Sequence, residues 1–272
     1  MSAVRQTMPA SQPDPARPFI ALDGVSKVFE TPGGRVTAIE AASLGIAAGE
    51  TMALIGPSGC GKSTLLMMVA GLLSPSGGRL TIGDQPVTAP HPDLAVVFQR
   101  DLLFDWQTVL GNVLSPFVLR GEPVQAHVDR ARRLLDHVGL AGFEDRRPYE
   151  LSGGMRQRVA LCRALIQDPS ILLLDEPFAA LDALTREQMQ LDLQRIAMEA
   201  TRTTILVTHD IAEAVFMADS VVVMTARPSQ IREVIRIDLP RPRTVQTRNH
   251  PDFGRHVAEI HDLFTRLGVL HG

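Results

Sequence analysis

With 272 residues, 45% of them hydrophobic, and a net charge of −3, the chain can bury a sizeable core, and no basic excess points to a nucleic-acid surface. Its two cysteines, Cys60 and Cys162, exclude a disulfide framework and sit in no paired metal-binding motif, so a reducing cytoplasm is the expected compartment. No apolar run nears the roughly 20 residues that span a bilayer, so membrane association is expected only through a partner.

In chain order, Met1 to Pro18 carries four prolines and no apolar h-region, which predicts a mobile tail rather than a signal peptide or anchor. Phe19 to Phe29 is β-like, and Gly33-Gly34 marks a turn before an apolar segment around Ile39. Two readings of Phe29 stand at this point: an aromatic that stacks on a base, or a half-buried strand residue. Thr51 to Ile55 then feeds Gly56, Pro57, Ser58, Gly59, Cys60, Gly61, Lys62, Ser63 and Thr64, a match to G-x-x-x-x-G-K-[ST]. Strand, glycine loop and helix form the context this phosphate-cradling loop requires. Its glycines let backbone N–H groups wrap a polyphosphate, Lys62 supplies charge to the terminal phosphates, and Ser63 offers a hydroxyl to Mg²⁺. The helix is expected to run from Lys62 to Leu73, ended by Ser74 to Gly78.

Three further apolar runs each end in a polar group. Leu94 to Phe98 precedes Gln99, Ser170 to Leu174 precedes Asp175 and Glu176, and Thr203 to Thr208 precedes His209. Continuous apolarity at this length predicts strands buried on both faces of a parallel sheet, whose carboxyl edge is where ligands bind. Between Gln99 and Ser170 the pattern is helical, with Val124, Val128, Ala131, Leu135 and Val138 on one face. The entry to this segment, Asp101 to Gln107, gathers Leu102, Leu103, Phe104 and Trp106 as a local plug or a partner contact, and partner contact is the reading adopted. Ser152 is placed to cap the helix after it. Gly153 and Gly154 would cost roughly 1 kcal/mol each there relative to Ala, so a second anion site is expected. Later come a helix through Leu184, Met189, Leu193 and Ile196, a helix from Ile211, a strand at Val221 to Met224, a Pro/Arg linker at Pro240 to Arg243, and an amphipathic helix carrying Phe253, Val257, Ile260, Phe264 and Leu267. His250, His256, His261 and His271 lack metal-ligand spacing and read as surface or satisfied histidines.

These groups predict phosphoryl transfer to water, which needs positioning and charge neutralisation more than covalent help. Glu176 is the expected activator of the water, Asp175 the holder of Mg²⁺ with Gln99 as a further oxygen donor, and His209 the contact to the γ-phosphate.

On these motifs the chain resembles the ATP-binding subunit of an ABC transporter from about Phe19 to Leu267. Gly56 to Thr64 is similar to its Walker A loop, Gln99 to the Q-loop, Leu151 to Gln157 to the signature, Ile171 to Glu176 to Walker B, Leu181 and Asp182 to the D-loop, and His209 to the switch histidine. The resemblance implies an α/β P-loop NTPase (RecA-like) with a mainly parallel sheet, an antiparallel β subdomain and an inserted α-helical subdomain. It divides the chain into a nucleotide-binding core (19–99 and 166–240), a helical subdomain (100–165) and a C-terminal linker and helix (241–272). It also implies ATP and Mg²⁺ as cofactors, Phe29 as the adenine-stacking aromatic, and Ser152, Gly153, Gly154 and Asp182 as nucleotide contacts across a homodimer. Implied partners are permease subunits at the cytoplasmic face of the inner membrane and, indirectly, a solute-binding protein, with no nucleic acid. Ala179-Ala180 before the D-loop and Arg147-Pro148-Tyr149-Glu150 before the signature depart mildly from the family pattern. Pro177 to Arg186, Ala226 to Pro228 and His250 to Phe253 resemble importer ATPases for nitrate, sulfonate and taurine. The alternatives are an importer of another small solute and an ABC ATPase outside transport.

Overall fold

The computed structural model describes residues 18–199 and 201–269, so the tail up to residue 17 and His271 lie outside the described residues. The first elements are β1 (Ile20–Thr31) and β2 (Gly34–Ile46), an antiparallel hairpin in which Thr31 faces Gly34. With β4 (Gly77–Ile82) and β5 (Gln85–Pro86) they form a sheet of order β2-β1-β4-β5. The sequence reading had not placed β4 or β5, which carry few apolar residues.

The second sheet contains β3 (Thr51–Ile55), β6 (Leu94–Val97), β7 (Ile171–Asp175), β8 (Thr203–Val207), β9 (Ser220–Met224) and β10 (Ile231–Arg236), in the order β10-β9-β3-β8-β7-β6. All neighbours are parallel except β10 on β9. Every residue of β3, β7, β8 and β9 is buried, which explains the continuous apolar runs. Alternate side chains serve different cores. Met52, Leu54, Ile171 and Leu173 pack towards the antiparallel sheet with α1 (Lys62–Val69), whereas Ala53, Ile55, Leu172 and Leu174 pack towards the remaining helices. Because β3, β6, β7 and β8 run parallel, their carboxyl ends share one edge.

The inserted segment is helical, comprising α2 (Val109–Leu119), α3 (Val128–His137) and α4 (Gly153–Leu165). Ala131, Leu135 and Val138 are buried on the predicted face, while Val124 lies in a separate 3₁₀ turn, Val124–His127. After β7 come α5 (Ala183–Glu199), α6 (Ile211–Met217) and α7 (Pro251–Arg266). Phe253, Ile260 and Phe264 of α7 are buried against the core, as their spacing predicts.

Four details differ from the sequence reading. Helix α1 ends at Val69 rather than Leu73, because Gly71 turns the chain at φ +72°, where a Cβ would meet the Ala89 carbonyl at 2.3 Å. Leu184 is exposed, so it is not part of the buried face of α5. His256 is neither at the surface nor fully satisfied: it is buried, with Nδ1 3.6 Å from Glu259 and that nitrogen without a hydrogen bond among the described residues. The Pro/Arg segment is packed, not free: Arg243 is 2% exposed and donates to the carbonyls of Val215, Phe216 and Ala218, while Arg241 pairs with Asp219 at 2.8 Å. Burial pushes the Arg243 guanidinium down to about 10, so it remains charged at neutral pH; the carbonyls take up its Nη1 and Nη2 protons, while its Nε has no hydrogen-bond partner among the described residues.

Candidate functional site

The phosphate loop leaves β3 at Ile55 and turns through Gly59 at φ +71° and Gly61 at φ +121°. Space is as limiting as conformation at Gly56, where a Cβ would sit 2.8 Å from the Met224 carbonyl and 3.1 Å from Cys60 Sγ. Cys60 is itself buried, a packing residue of the loop. Pro57 and Ser58 complete the turn, with the Cys60 N–H donating to the Pro57 carbonyl at 3.2 Å. Gly61 is the N-cap of α1 and brings no side chain to cover the first-turn N–H groups, which leaves the positive end of the helix to an anion. Lys62 is buried, and its Nζ donates to the carbonyls of Gly56 at 2.8 Å and Pro57 at 3.1 Å, which holds the ammonium in the loop. Thr64 follows within the first turn of α1.

The other strand ends meet this loop. Ser63 Oγ donates to Asp175 Oδ1 at 3.0 Å across the ends of β3 and β7. Burial holds the Asp175 carboxyl above its ordinary range and the adjacent Glu176 adds to this, while Ser63 and Lys62 act in the opposite sense. A desolvated carboxylate beside a second carboxylate and a hydroxyl is a donor set that a hard divalent cation would relieve. Glu176 adopts a left-handed backbone, φ 47°, which costs on the order of 1–3 kcal/mol, and its N–H donates to the Val207 carbonyl at 2.9 Å. This turn aims its side chain at the ends of β6 and β8. Glu176 Oε2 accepts from Gln99 Nε2 at 3.1 Å and lies 3.4 Å from His209 Nδ1. Two of the predicted residues thus converge on one carboxylate oxygen of a third. Gln99 presents its amide N–H₂ to Glu176, a contact the sequence did not foretell, and its Oε1 remains the atom expected to serve a metal.

The signature residues sit elsewhere. Ser152 accepts from the Met155 N–H at 3.3 Å as the N-cap of α4, and a Cβ on Gly154 would meet Leu181 Cδ2 at 2.9 Å. Gly154 is therefore fitted to the D-loop as well as leaving the helix end bare, whereas a Cβ on Gly153 would meet only Arg156 Nη2, in ordinary contact at 3.8 Å. Asp182 is exposed and accepts from the Thr185 N–H at 3.1 Å at the start of α5; the Thr185 hydroxyl first, and this N–H second, hold its carboxyl below the usual range. Among the described residues no hydrogen bond joins Ser152, Gly153, Gly154 or Asp182 to the phosphate loop of the same chain. Phe29 is half-exposed on β1 with Lys27 Nζ 5.2 Å from its ring, on the sheet whose Ile39 packs on Gly61.

The sequence profile of the ABC transporter family matches residues 39–179, more than half of the 272. The chain belongs to the ABC transporter family. An uncharacterized ABC transporter ATP-binding protein of Methanocaldococcus jannaschii is 46% identical over 241 residues, covering 89% of this chain and 90% of that protein. The taurine import ATP-binding protein TauB of Roseobacter denitrificans is 41% identical over 246 residues, 89% of this chain and 92% of its own. The nitrate import ATP-binding protein NrtC of Synechococcus elongatus is 46% identical over 233 residues, 83% of this chain but 35% of the larger relative. Among solved structures, the dimeric post-hydrolysis ATP-binding cassette MJ0796 bound to ADP and Pi superposes with a TM-score of 0.72 at 29% identity, covering 80% of this chain and 98% of that one. The cassette described here is accordingly an ABC-type ATPase, and ATP is its nucleotide.

Several of its supporting residues escaped the sequence reading. Arg227, in the loop after β9, donates from Nε to the Gly59 carbonyl at 2.6 Å and so braces the phosphate loop. Gln157 donates to the Phe98 carbonyl at 3.2 Å, Arg156 pairs with Asp101 at 2.9 Å, and Arg163 donates to the carbonyls of Asp101 and Leu102. Together they pin the segment around Gln99 to the signature helix. Both groups lay within stretches already noted, but nothing in the spacing says which carbonyl a long side chain will reach.

Proposed function

We propose that the chain is the ATP-hydrolysing subunit of an ABC importer, working as a homodimer and coupling hydrolysis to uptake of a small anion through a separate permease. The observation that carries the catalytic part is the convergence of Gln99 and His209 on Glu176 Oε2 at 3.1 and 3.4 Å, beside the Ser63–Asp175 pair. Glu176 orients the attacking water and accepts its proton, and His209 holds Glu176 and the γ-phosphate in register. Lys62 and the free N–H groups of α1 receive the phosphates, and Phe29 stacks on the adenine. Ser63 and Asp175, with Gln99 as a further oxygen donor, would hold Mg²⁺, which supplies charge neutralisation at the phosphates when bound. Ser152, Gly153, Gly154 and Asp182 act on the nucleotide of the second copy; supporting this, the comparable MJ0796 cassette is dimeric.

The names of the taurine and nitrate relatives support uptake of a small anion. Among the described residues no helix is long and apolar enough to cross a membrane, so on this reading the subunit sits at the cytoplasmic face of the membrane through the permease, with a solute-binding protein delivering the solute. Glu176→Gln tests the catalytic assignment. ATP binding, read by nucleotide titration, should persist while turnover falls by about 10²–10⁴-fold, the usual contribution of general acid–base catalysis. Unchanged turnover in that variant would contradict it.

A further inference from the structure

A buried polar chain on the far side of the catalytic carboxylate has no part in the mechanism above. It begins in the C-terminal segment, where Arg248 lies in a 3₁₀ turn, Val245–Asn249, with its guanidinium 4.3 Å from the Phe216 ring. Arg248 Nη2 donates to Gln190 Oε1 at 2.6 Å, and Gln190 Nε2 donates to Glu213 Oε2 at 3.1 Å. Gln190 and Glu213 are both buried, at 2% and 5% exposure. The Thr208 hydroxyl faces the Glu213 carboxyl and favours its charged form, and itself accepts the Asp210 N–H at 3.0 Å. Thr208 and Asp210 flank His209, so this hydroxyl closes a bracket around it. A small cavity of about 50 Å³ lined by Glu176, Thr208, His209, Asp210 and Glu213 places both carboxylates around one space.

We propose that Glu213 is a positioning residue for His209, and that Arg248 of the C-terminal segment, acting through Gln190, sets how firmly Glu213 holds the Thr208 bracket. Gln190 transmits in one direction: with its carbonyl occupied by Arg248, its N–H₂ is fixed towards Glu213 and favours the carboxylate. An ionised Glu213 accepts from Thr208, whereas a protonated one is itself a donor and competes with that bond. Burial brings the Glu213 carboxyl up to about 7, so both forms are populated near neutrality. The charged groups around it are Asp210 on its own loop, Arg186 and Glu187 of α5, Arg248, and Glu176 across the cavity.

This inference rests on the catalytic reading of His209, and the experiment separates the two. ATPase kinetics of the full-length chain would be measured from pH 6 to 8.5 for wild type, His209→Ala, Glu213→Gln, Arg248→Ala, Arg248→Lys and the Glu213→Gln/Arg248→Ala double variant. Glu213→Gln should lower kcat about tenfold, less than the roughly hundredfold that a displaced catalytic geometry can cost, with KM for ATP unchanged and the limb near pH 7 lost. Arg248→Ala should move that limb to higher pH, Arg248→Lys should move it part of the way back, and Arg248→Ala should add nothing in the Glu213→Gln background. Full activity in His209→Ala would overturn the catalytic reading. Loss in His209→Ala, together with an Arg248→Ala effect that is absent or equally large without Glu213, would overturn the inference alone. A mere loss of fold would lower the Arg248→Ala and Arg248→Lys melting temperatures and leave the pH limb in place, which also counts against it.

Discussion

Glu176 shows how much chemistry one backbone choice sets. A left-handed residue directly after a buried strand turns the carboxylate sideways, so that residues from β6 and β8 reach the same oxygen. Its neighbour Glu213 carries a cost that can be read in stability. Folding raises its carboxyl from the ordinary 4.5 to about 7, chiefly through burial. Between those two values the folded chain keeps a proton that the unfolded chain has lost, so the stability contributed by this group falls as pH rises through the window. Gln at this position cannot ionise. Thermal denaturation should therefore show Glu213→Gln gaining on wild type from pH 5 to pH 8, by an amount on the order of 3 kcal/mol at most, since one pKa unit is about 1.4 kcal/mol. A constant gap across that range would show that Glu213 is not strained by its charge. The residues at strand ends were legible in the sequence as a set: one polar group after a buried run is ordinary loop chemistry, whereas four strands that each end in a polar or phosphate-binding group at one sheet edge mark a ligand site. Arg227 and Arg248 were not, since a long flexible side chain leaves no periodic trace of the partner it reaches.

At the level of elements, the buried strands were legible from their continuous apolar runs and the docked C-terminal helix from its 3.6 period, whereas β4, β5 and β10, each with few apolar residues, were not. Helix α1 was read too long because Gly71 lies inside an otherwise apolar stretch, and only the approach of the Ala89 backbone shows that it must turn there. The loop from Asp101 to Gln107 is the element whose fine structure changes most. Leu103 packs on the core and the Asn112 side chain receives the Phe104 N–H at 2.7 Å, whereas Leu102 is 50% and Trp106 69% exposed. The stretch is thus both things the sequence left open: half plug, half exposed surface. With Arg147 holding the Trp106 carbonyl at 2.9 Å and Arg163 holding that of Leu102 at 2.8 Å, the exposed pair is presented on a fixed backbone. On the proposed function this is where the permease docks. Leu102→Asp/Trp106→Asp should abolish co-purification with the permease while leaving ATP affinity unchanged; retained co-purification would place the contact elsewhere. Leu103 is unsuited to this test, because a charge there would unsettle the core.

At the scale of the whole molecule, the phosphate loop and Glu176 come together within one chain, whereas no hydrogen bond brings the helix end at Ser152 to that loop among the described residues. The sequence supplied all of these parts, because each is a short contiguous motif. It could not supply their separation in space, which depends on where the helical segment packs. On the proposed function each active site draws Lys62 from one copy and Ser152 to Gly154 from the other, which gives hydrolysis an obligatory second subunit. Complementation tests this most directly. Lys62→Ala and Gly153→Asp chains, each inactive alone, are mixed and their ATPase rate measured. Mixing should restore a substantial fraction of wild-type activity, because a mixed dimer holds one intact Lys62 site facing one intact signature. A mixture as inactive as its components, with mixed dimers demonstrated, would contradict the proposal.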